Sequence, residues 1–161
     1  MITAASPDQL PDLETTLSMS GLEYMQAMQR GALAAPPIWS LINYTIEEIA
    51  EGRTVFRGTP EFRHVNPAGG VHGGWYGTLL DTCMSCAVMT ITAKGSIYTM
   101  LEYKVNMVGA IPVGSEILAT GTIDHAGRTT GVARGEIRDA ASGKLYATGS
   151  ATCLIMKLGD G

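Results

Sequence analysis

The chain has 161 residues, 45% of them hydrophobic and 16% charged, with a formal net charge of -4 at neutral pH. That length suits one compact core and leaves little room for two. The acidic balance and the lack of any concentrated basic face exclude a nucleic-acid partner, whose phosphates require clustered Lys and Arg. An anionic ligand would have to be gripped locally.

Met1-Ile2-Thr3-Ala4-Ala5-Ser6-Pro7 has neither the basic n-region nor the apolar h-region of a secretory leader. No later run reaches membrane-spanning length, so a cytoplasmic protein without membrane contact is expected. Cys83, Cys86 and Cys153 are an odd, sparse set with no disulfide framework. Cys83 and Cys86 have C-x-x-C spacing, but they lie in an apolar helical run without a second ligand pair. They are read as packing residues, and no metal is expected.

Residues 1–19, with Pro7, Pro11 and no sustained periodicity, are expected to form a loose arm. Ser20-Gly21-Leu22-Glu23 spells a capping box and opens a short helix carrying Leu22, Met25, Met28 and Leu33. Ala35-Pro36-Pro37 stops it, so residues 20–38 are expected as an N-terminal helix and linker. Trp39 to Glu48 and Thr54 to Thr59 are predicted strands joined around Glu51-Gly52.

From about Gly73 to Ala93 the sequence is apolar nearly all round and free of proline, which predicts a buried helix terminated near Gly95. The remainder reads as sheet: Ile97 to Met107, Glu116 to Asp124, Thr129 to Asp139 and Lys144 to Met156, separated by turn residues. Ala119, Gly121, Ala133, Gly135, Ala147, Gly149 and Ala151 recur at strand spacing, so one face of that sheet admits a helix closely. The expected class is α+β, with a long buried central helix wrapped by an antiparallel sheet over residues 39–161.

Asn66-Pro67-Ala68-Gly69-Gly70-Val71-His72-Gly73-Gly74 runs directly into the predicted helix. An amide, an imidazole and a glycine pair thus meet where unpaired backbone N–H groups and the positive dipole end favour a developing oxyanion. Asp81 is the lone acid of the apolar helix. A buried carboxylate without a partner is costly, and general-base chemistry is one reason to keep it. His64 and His125 are given no functional role. His72 and Asp81 are nine positions apart, about 13 Å along a helix and half a turn around it. They cannot serve one site within one chain.

The Asn-x5-His-Gly-Gly loop, with an acid nine residues after the His, resembles the PaaI-type hotdog-fold acyl-CoA thioesterases over roughly Trp39 to Met156. The resemblance implies the hotdog fold and hydrolysis of an acyl-CoA thioester, with CoA as part of the substrate and no separate cofactor. It implies catalytic roles for Asn66, His72, Gly73 and Asp81, assisted by a hydroxyl placed like Ser85 or Thr99, of which Thr99 is preferred. It implies that the turn at Arg128 and Thr129 holds the CoA nucleotide. It also implies a homodimer with sites at the subunit interface, with dimers pairing further into a tetramer.

In the expected mechanism the Gly73 N–H receives the thioester oxygen while Asn66 fixes the acyl group or that oxygen. His72 orients the thioester or steadies the departing thiolate. Asp81 of the partner chain serves as general base on water, or as a nucleophile. Trp75, Tyr76, Met84, Met89 and Met100 are candidate walls for the acyl group. Two other functions compete: a non-catalytic acyl-CoA binding module on the same scaffold, and a hotdog enoyl-CoA hydratase or dehydratase.

Overall fold

The computed structural model describes residues 2–158. Three short helices precede the sheet: α1 (Leu13–Leu17), α2 (Gly21–Gln29) and α3 (Pro37–Ile42). Strands β1 (Tyr44–Ala50) and β2 (Arg53–Gly58) follow, then the long helix α4 (Gly73–Thr90), then β3 (Ser96–Met107), β4 (Ile117–Ala126), β5 (Thr130–Asp139) and β6 (Leu145–Lys157). All six strands form one antiparallel sheet in the order β1-β2-β4-β5-β6-β3, which leaves β1 and β3 as its edges. Helix α4 touches every strand of it.

The N-terminal region departs from expectation. Residues 2–19 carry a 3₁₀ turn at Pro7–Gln9 and helix α1, whose N-cap Asp12 accepts from the Thr15 N–H. Thr3 bridges Ala35, and Ala4 is buried, so this stretch is docked on the domain. The predicted strand from Trp39 is a helix as far as Ile42. Pro37 occupies the first helical turn, where its fixed φ and missing N–H cost nothing, and Asn43 at φ 61° ends the helix before β1 begins. Helix α2 ends at Gln29, with Gly31 at φ 76° just beyond it, so Leu33 lies outside the helix and the proline pair opens α3 rather than stopping α2. The capping box of α2 forms as its residues require, with the Ser20 hydroxyl on the Glu23 N–H and the Glu23 carboxylate on the Ser20 N–H.

The sheet accepts α4 because glycine removes side chains where the backbones meet. A Cβ on Gly121 would lie 2.0 Å from the Cys83 carbonyl oxygen, and one on Gly131 would lie 2.7 Å from Val88 Cγ1. At the same place the Thr54 hydroxyl of β2 donates to the Cys83 carbonyl at 2.8 Å, so helix and sheet are joined by a polar tie as well as by packing. Leu79, Leu80, Met84 and Val88 are fully buried in this layer, each worth about 1.5–3 kcal/mol. All three thiols are buried here too, in keeping with a packing role. Among the described residues, no helix is long and apolar enough to cross a membrane.

A bulge in β3 matters for the site. Met100 pairs with Cys153 and Glu102 with Thr152, which leaves Leu101 unpaired between them. Before the bulge Ser96, Tyr98 and Met100 face α4. After it Tyr103, Val105 and Met107 do so, because the extra residue shifts the alternation by one.

Gly121→Ala should lower stability by about 3 kcal/mol or more, the upper end for overpacking, since the new methyl meets a backbone carbonyl rather than a flexible side chain. Urea denaturation followed by circular dichroism measures it, and a loss under about 1 kcal/mol would contradict so close an approach.

Candidate active site

The loop before α4 is tied down by its own backbone. The Asn66 N–H donates to the Gly70 carbonyl and the Gly69 N–H to the Asn66 carbonyl, with Gly69 at φ 81° closing the turn. Asn66 Oδ1 accepts from the N–H groups of Ala68 at 2.9 Å and Gly70 at 3.2 Å. The amide oxygen is thus spent on the loop, and the Nδ2 group remains as a donor.

His72 is the N-cap of α4. Its Nδ1 accepts from the Gly74 N–H at 2.9 Å, which in the neutral ring leaves the proton on Nε2. His64, given no functional role from sequence, is structural: Nδ1 accepts from the Glu61 N–H, Nε2 donates to the Leu41 carbonyl, and its own carbonyl receives the His72 N–H at 2.9 Å. It holds the helix entrance in place. With Gly74 satisfied by His72 and Trp75 donating to the His72 carbonyl, the Gly73 N–H has no acceptor among the described residues. An anion-directed donor therefore stands at the head of an 18-residue helix.

From Gly73 a ridge of positions four apart winds along α4 through Gly77, Asp81, Ser85 and Met89. Strand β3 runs alongside in the opposite sense. A Cβ on Gly73 would meet the Met107 thioether at 3.3 Å, and one on Gly77 would meet the Tyr103 hydroxyl at 3.3 Å. Asp81 opens onto a surface recess of about 460 Å³ with Met100, Leu101, Glu102 and Tyr103. Its carboxylate has no hydrogen-bond or ion-pair partner among the described residues, and partial burial pushes its pKa above the ordinary carboxylate value. Gly73 and Asp81 are about 12 Å apart along the axis, so the structure does not bring the donor and the acid together within one chain.

The two candidate hydroxyls differ in place. Ser85 is buried one turn beyond Asp81, with its Oγ donating to the Thr82 carbonyl at 3.3 Å. Thr99 is exposed opposite Leu154, on the face of the sheet turned away from α4 in its own protomer. It shares a row across three strands with Leu154 and Thr130, next to the exposed turn of Arg128 and Thr129. Among the described residues Arg128 makes no ion pair.

Three of the five candidate acyl walls are core instead. Met84 is fully buried, the Trp75 indole donates to the Ile42 carbonyl, and the Tyr76 hydroxyl joins Gly109 and Ile111. Met89 and Met100 border open space, and Trp75 also lines a recess beside His72 at the helix head. Sequence reasoning missed Tyr103 and Met107 beside the helix ridge. Their signal is a strand apolar at both alternating sets of positions, the trace a bulge leaves.

Comparison with known proteins agrees with this architecture. Residues 68–146 match the thioesterase superfamily. Acyl-coenzyme A thioesterase 13 of Mus musculus is 30% identical over 92 residues, which cover 57% of this chain and 65% of that protein. The chain therefore spans just under two thirds of that relative's length. The crystal structure of zebra fish thioesterase superfamily member 2 superposes with a TM-score of 0.70 at 26% identity, covering 86% of this chain and 98% of that one. The E. coli PaaI protein of the phenylacetic acid degradation operon superposes with a TM-score of 0.73 at 21% identity, covering 86% and 96%. A long helix against a six-stranded antiparallel sheet, with His-Gly-Gly at the helix head, gives the chain the hotdog fold of these solved structures, and its residues 68–146 carry the match to the thioesterase superfamily.

Proposed function

We propose that the chain hydrolyses acyl-CoA thioesters to the free acid and CoA, in sites shared between two copies. The observation that carries this reading is the unclaimed Gly73 N–H at the helix head together with the partnerless, half-buried Asp81 on the same ridge. The name of the mouse relative supports the substrate class.

The exposed edge of the sheet supports the pairing. β3 is a twelve-residue edge strand with Leu101, Tyr103, Met107 and the adjoining Val108 exposed, and a long apolar edge of this kind needs covering. An antiparallel pairing of two β3 strands about a two-fold axis near Tyr103–Lys104 sets Met107 of one copy opposite Met100 of the partner subunit. Gly73 lies beside Met107, and Asp81 lies beside Met100. The pairing therefore brings the donor of one copy toward Asp81 of the partner subunit, and a two-fold axis makes two such sites. Further pairing of dimers into a tetramer belongs to the same reading.

In each site the thioester oxygen faces the Gly73 N–H, with the helix dipole behind it, and the His72 Nε2–H and Asn66 Nδ2 donate from the same loop. Asp81 of the partner subunit takes a proton from water as the water oxygen attacks the carbonyl carbon. The tetrahedral oxyanion collapses, the carbon–sulfur bond breaks, and the proton held by Asp81 passes to the departing sulfur. A carboxyl whose pKa is raised by burial is suited to this work, because a base operates best with its pKa drawn toward the working pH. Ser85, one turn away, steadies the carboxylate or the water. Thr99 stays on the opposite face of the sheet in both copies of such a pairing and so stands outside this site, and Arg128 with Thr129 grips the CoA phosphates at the rim.

Asp81→Asn should cut thiol release by about 10²–10⁴-fold while affinity for acyl-CoA survives, and unchanged turnover would sink the reading. The same substitution should stabilise the fold at neutral pH. Burial raises the folded carboxyl above its unfolded value, so the wild type loses stability as pH rises through that interval. The thermal advantage of the variant should vanish in acid below the ordinary carboxylate range, as melting curves across pH would record.

Gly73→Pro removes the proposed oxyanion donor with little harm to the helix. Proline is accepted at the first helical position, and His72 at ψ 138° already has the extended conformation proline demands of its predecessor. A loss of about 10²–10³ in kcat is expected with the circular dichroism spectrum retained. Mixing and refolding the Asp81→Asn and Gly73→Pro proteins should restore about a quarter of wild-type activity, since each mixed dimer carries one intact site. No recovery from demonstrated mixed dimers would place the donor and the acid in separate roles. Thiol release without change in double-bond absorbance separates hydrolysis from hydration.

A further inference from the structure

Among the recesses of the described residues that have no part in the chemistry just described, one is mainly apolar. It is a cavity of about 380 Å³ between the N-terminal helices and the second half of α4. Met25, Met28 and Trp39 form its roof, and Met89, Ile97 and Tyr98 its floor. The lining is mainly apolar, and the methionines can reshape around an occupant. An empty apolar space of this size forfeits packing unless something fills it.

Its roof is fixed to the helix. The Gly21 N–H donates to the Thr92 carbonyl at 3.0 Å, and a Cβ on Gly21 would lie 1.8 Å from the Met89 carbonyl oxygen, so α2 starts in direct backbone contact with the end of α4. The roof residues all precede residue 68, where the match to the superfamily begins. This wall belongs to the part of the chain outside that match.

The cavity continues the line of the site. Asp81, Ser85 and Met89 follow one another on the same ridge, and Met89 forms part of the floor. Tyr98 faces α4 beside the Ser85 hydroxyl and also lines the cavity, so the Ser85–Tyr98 pair stands between the recess at Asp81 and the space beyond. From Asp81 to Met89 is about 12 Å along the helix. An extended hydrocarbon advances about 1.25 Å per carbon, from a carbon–carbon bond of about 1.5 Å, so that distance matches roughly ten carbons.

We infer that this cavity receives the acyl chain of the thioester, threaded along α4 past Ser85 and Tyr98, so that the preferred substrates are medium-chain acyl groups of roughly ten carbons. The inference rests on Asp81 as the reaction centre. Acetyl and butyryl groups leave the cavity empty, and palmitoyl overruns it. Met25 and Met28 at the roof then set the chain length, through residues far from the chemistry.

The test uses the full chain and follows thiol release from acetyl-, butyryl-, hexanoyl-, decanoyl- and palmitoyl-CoA, with kcat/KM for each. The expected optimum lies near decanoyl. Met28→Trp, which fills the cavity, should lower the decanoyl-to-butyryl ratio of kcat/KM by at least about tenfold, and Met28→Ala should move the optimum to longer chains. An optimum at acetyl, or an unchanged profile in both variants, would overturn the inference. If Met28→Trp fails to fold by circular dichroism, the Met28→Ala shift decides alone.

A protein that hydrolyses none of these esters would sink the proposed activity instead, and binding of a non-hydrolysable decyl-CoA thioether then tests the cavity separately. Calorimetric affinity that rises from ethyl to decyl thioether and weakens at least about tenfold in Met28→Trp supports it. Affinity indifferent to chain length refutes it.

Discussion

The close approach of α4 to the sheet is the constraint on which everything else depends. A helix with buried side chains on nearly every side gains little from amphipathicity, so it must be enclosed, and enclosure at backbone distance demands glycine or alanine on the facing strands. Gly121, Gly131 and Gly135 supply that surface. The small residues do more than pack. They hold the helix axis against the sheet, and its free N-terminal donor is therefore presented at a fixed height above the end of β3.

That rigidity also explains why one copy is insufficient in the proposed mechanism. An α-helix advances about 1.5 Å per residue and cannot fold back on itself, so a donor at its head and an acid two turns on stay about 12 Å apart. The antiparallel course of β3 along the same ridge offers a resolution. A second copy added to this edge reverses the direction of the ridge and brings unlike positions face to face. The bulge at Leu101 contributes by turning Tyr103 and Met107 toward the helix head while leaving Met100 beside Asp81. In the proposed mechanism Asp81 is a compromise: half-burial costs the charged carboxylate stability and raises its pKa toward that of a useful base.

Much of the architecture was legible because its signals are local. The capping box at Ser20, the apolar run from Gly73 and the turn at Glu51-Gly52 each depend on residues within a few positions of one another, and each formed, as did the strands after Gly95 apart from the bulge that breaks the alternation of β3. Pro36-Pro37 is ambiguous by itself, since proline can stand after one helix or open the next; here α2 already ends at Gln29 before Gly31, and Pro37 opens α3, whose Trp39 packs against Tyr44 and Phe56. The N-terminal stretch has no periodicity to read, since it is held by a bridge to Ala35, a short capped helix and the Leu17 carbonyl, which accepts from the Gly95 N–H.

For the site, the sequence by itself determined the kinds of group present and their order: amide, imidazole, glycine pair, then a lone acid in an apolar helix. It also determined their spacing along α4, because helical geometry converts positions into distances. Tertiary structure alone decided which groups are free to act. The spent oxygen of Asn66, the Nδ1 of His72 occupied by Gly74, the outward face of Thr99 and the cavity under Met28 all depend on contacts or strand register between segments far apart in the chain. Such contacts leave no local trace, since one extra residue in a strand reverses every side chain beyond it without altering the composition.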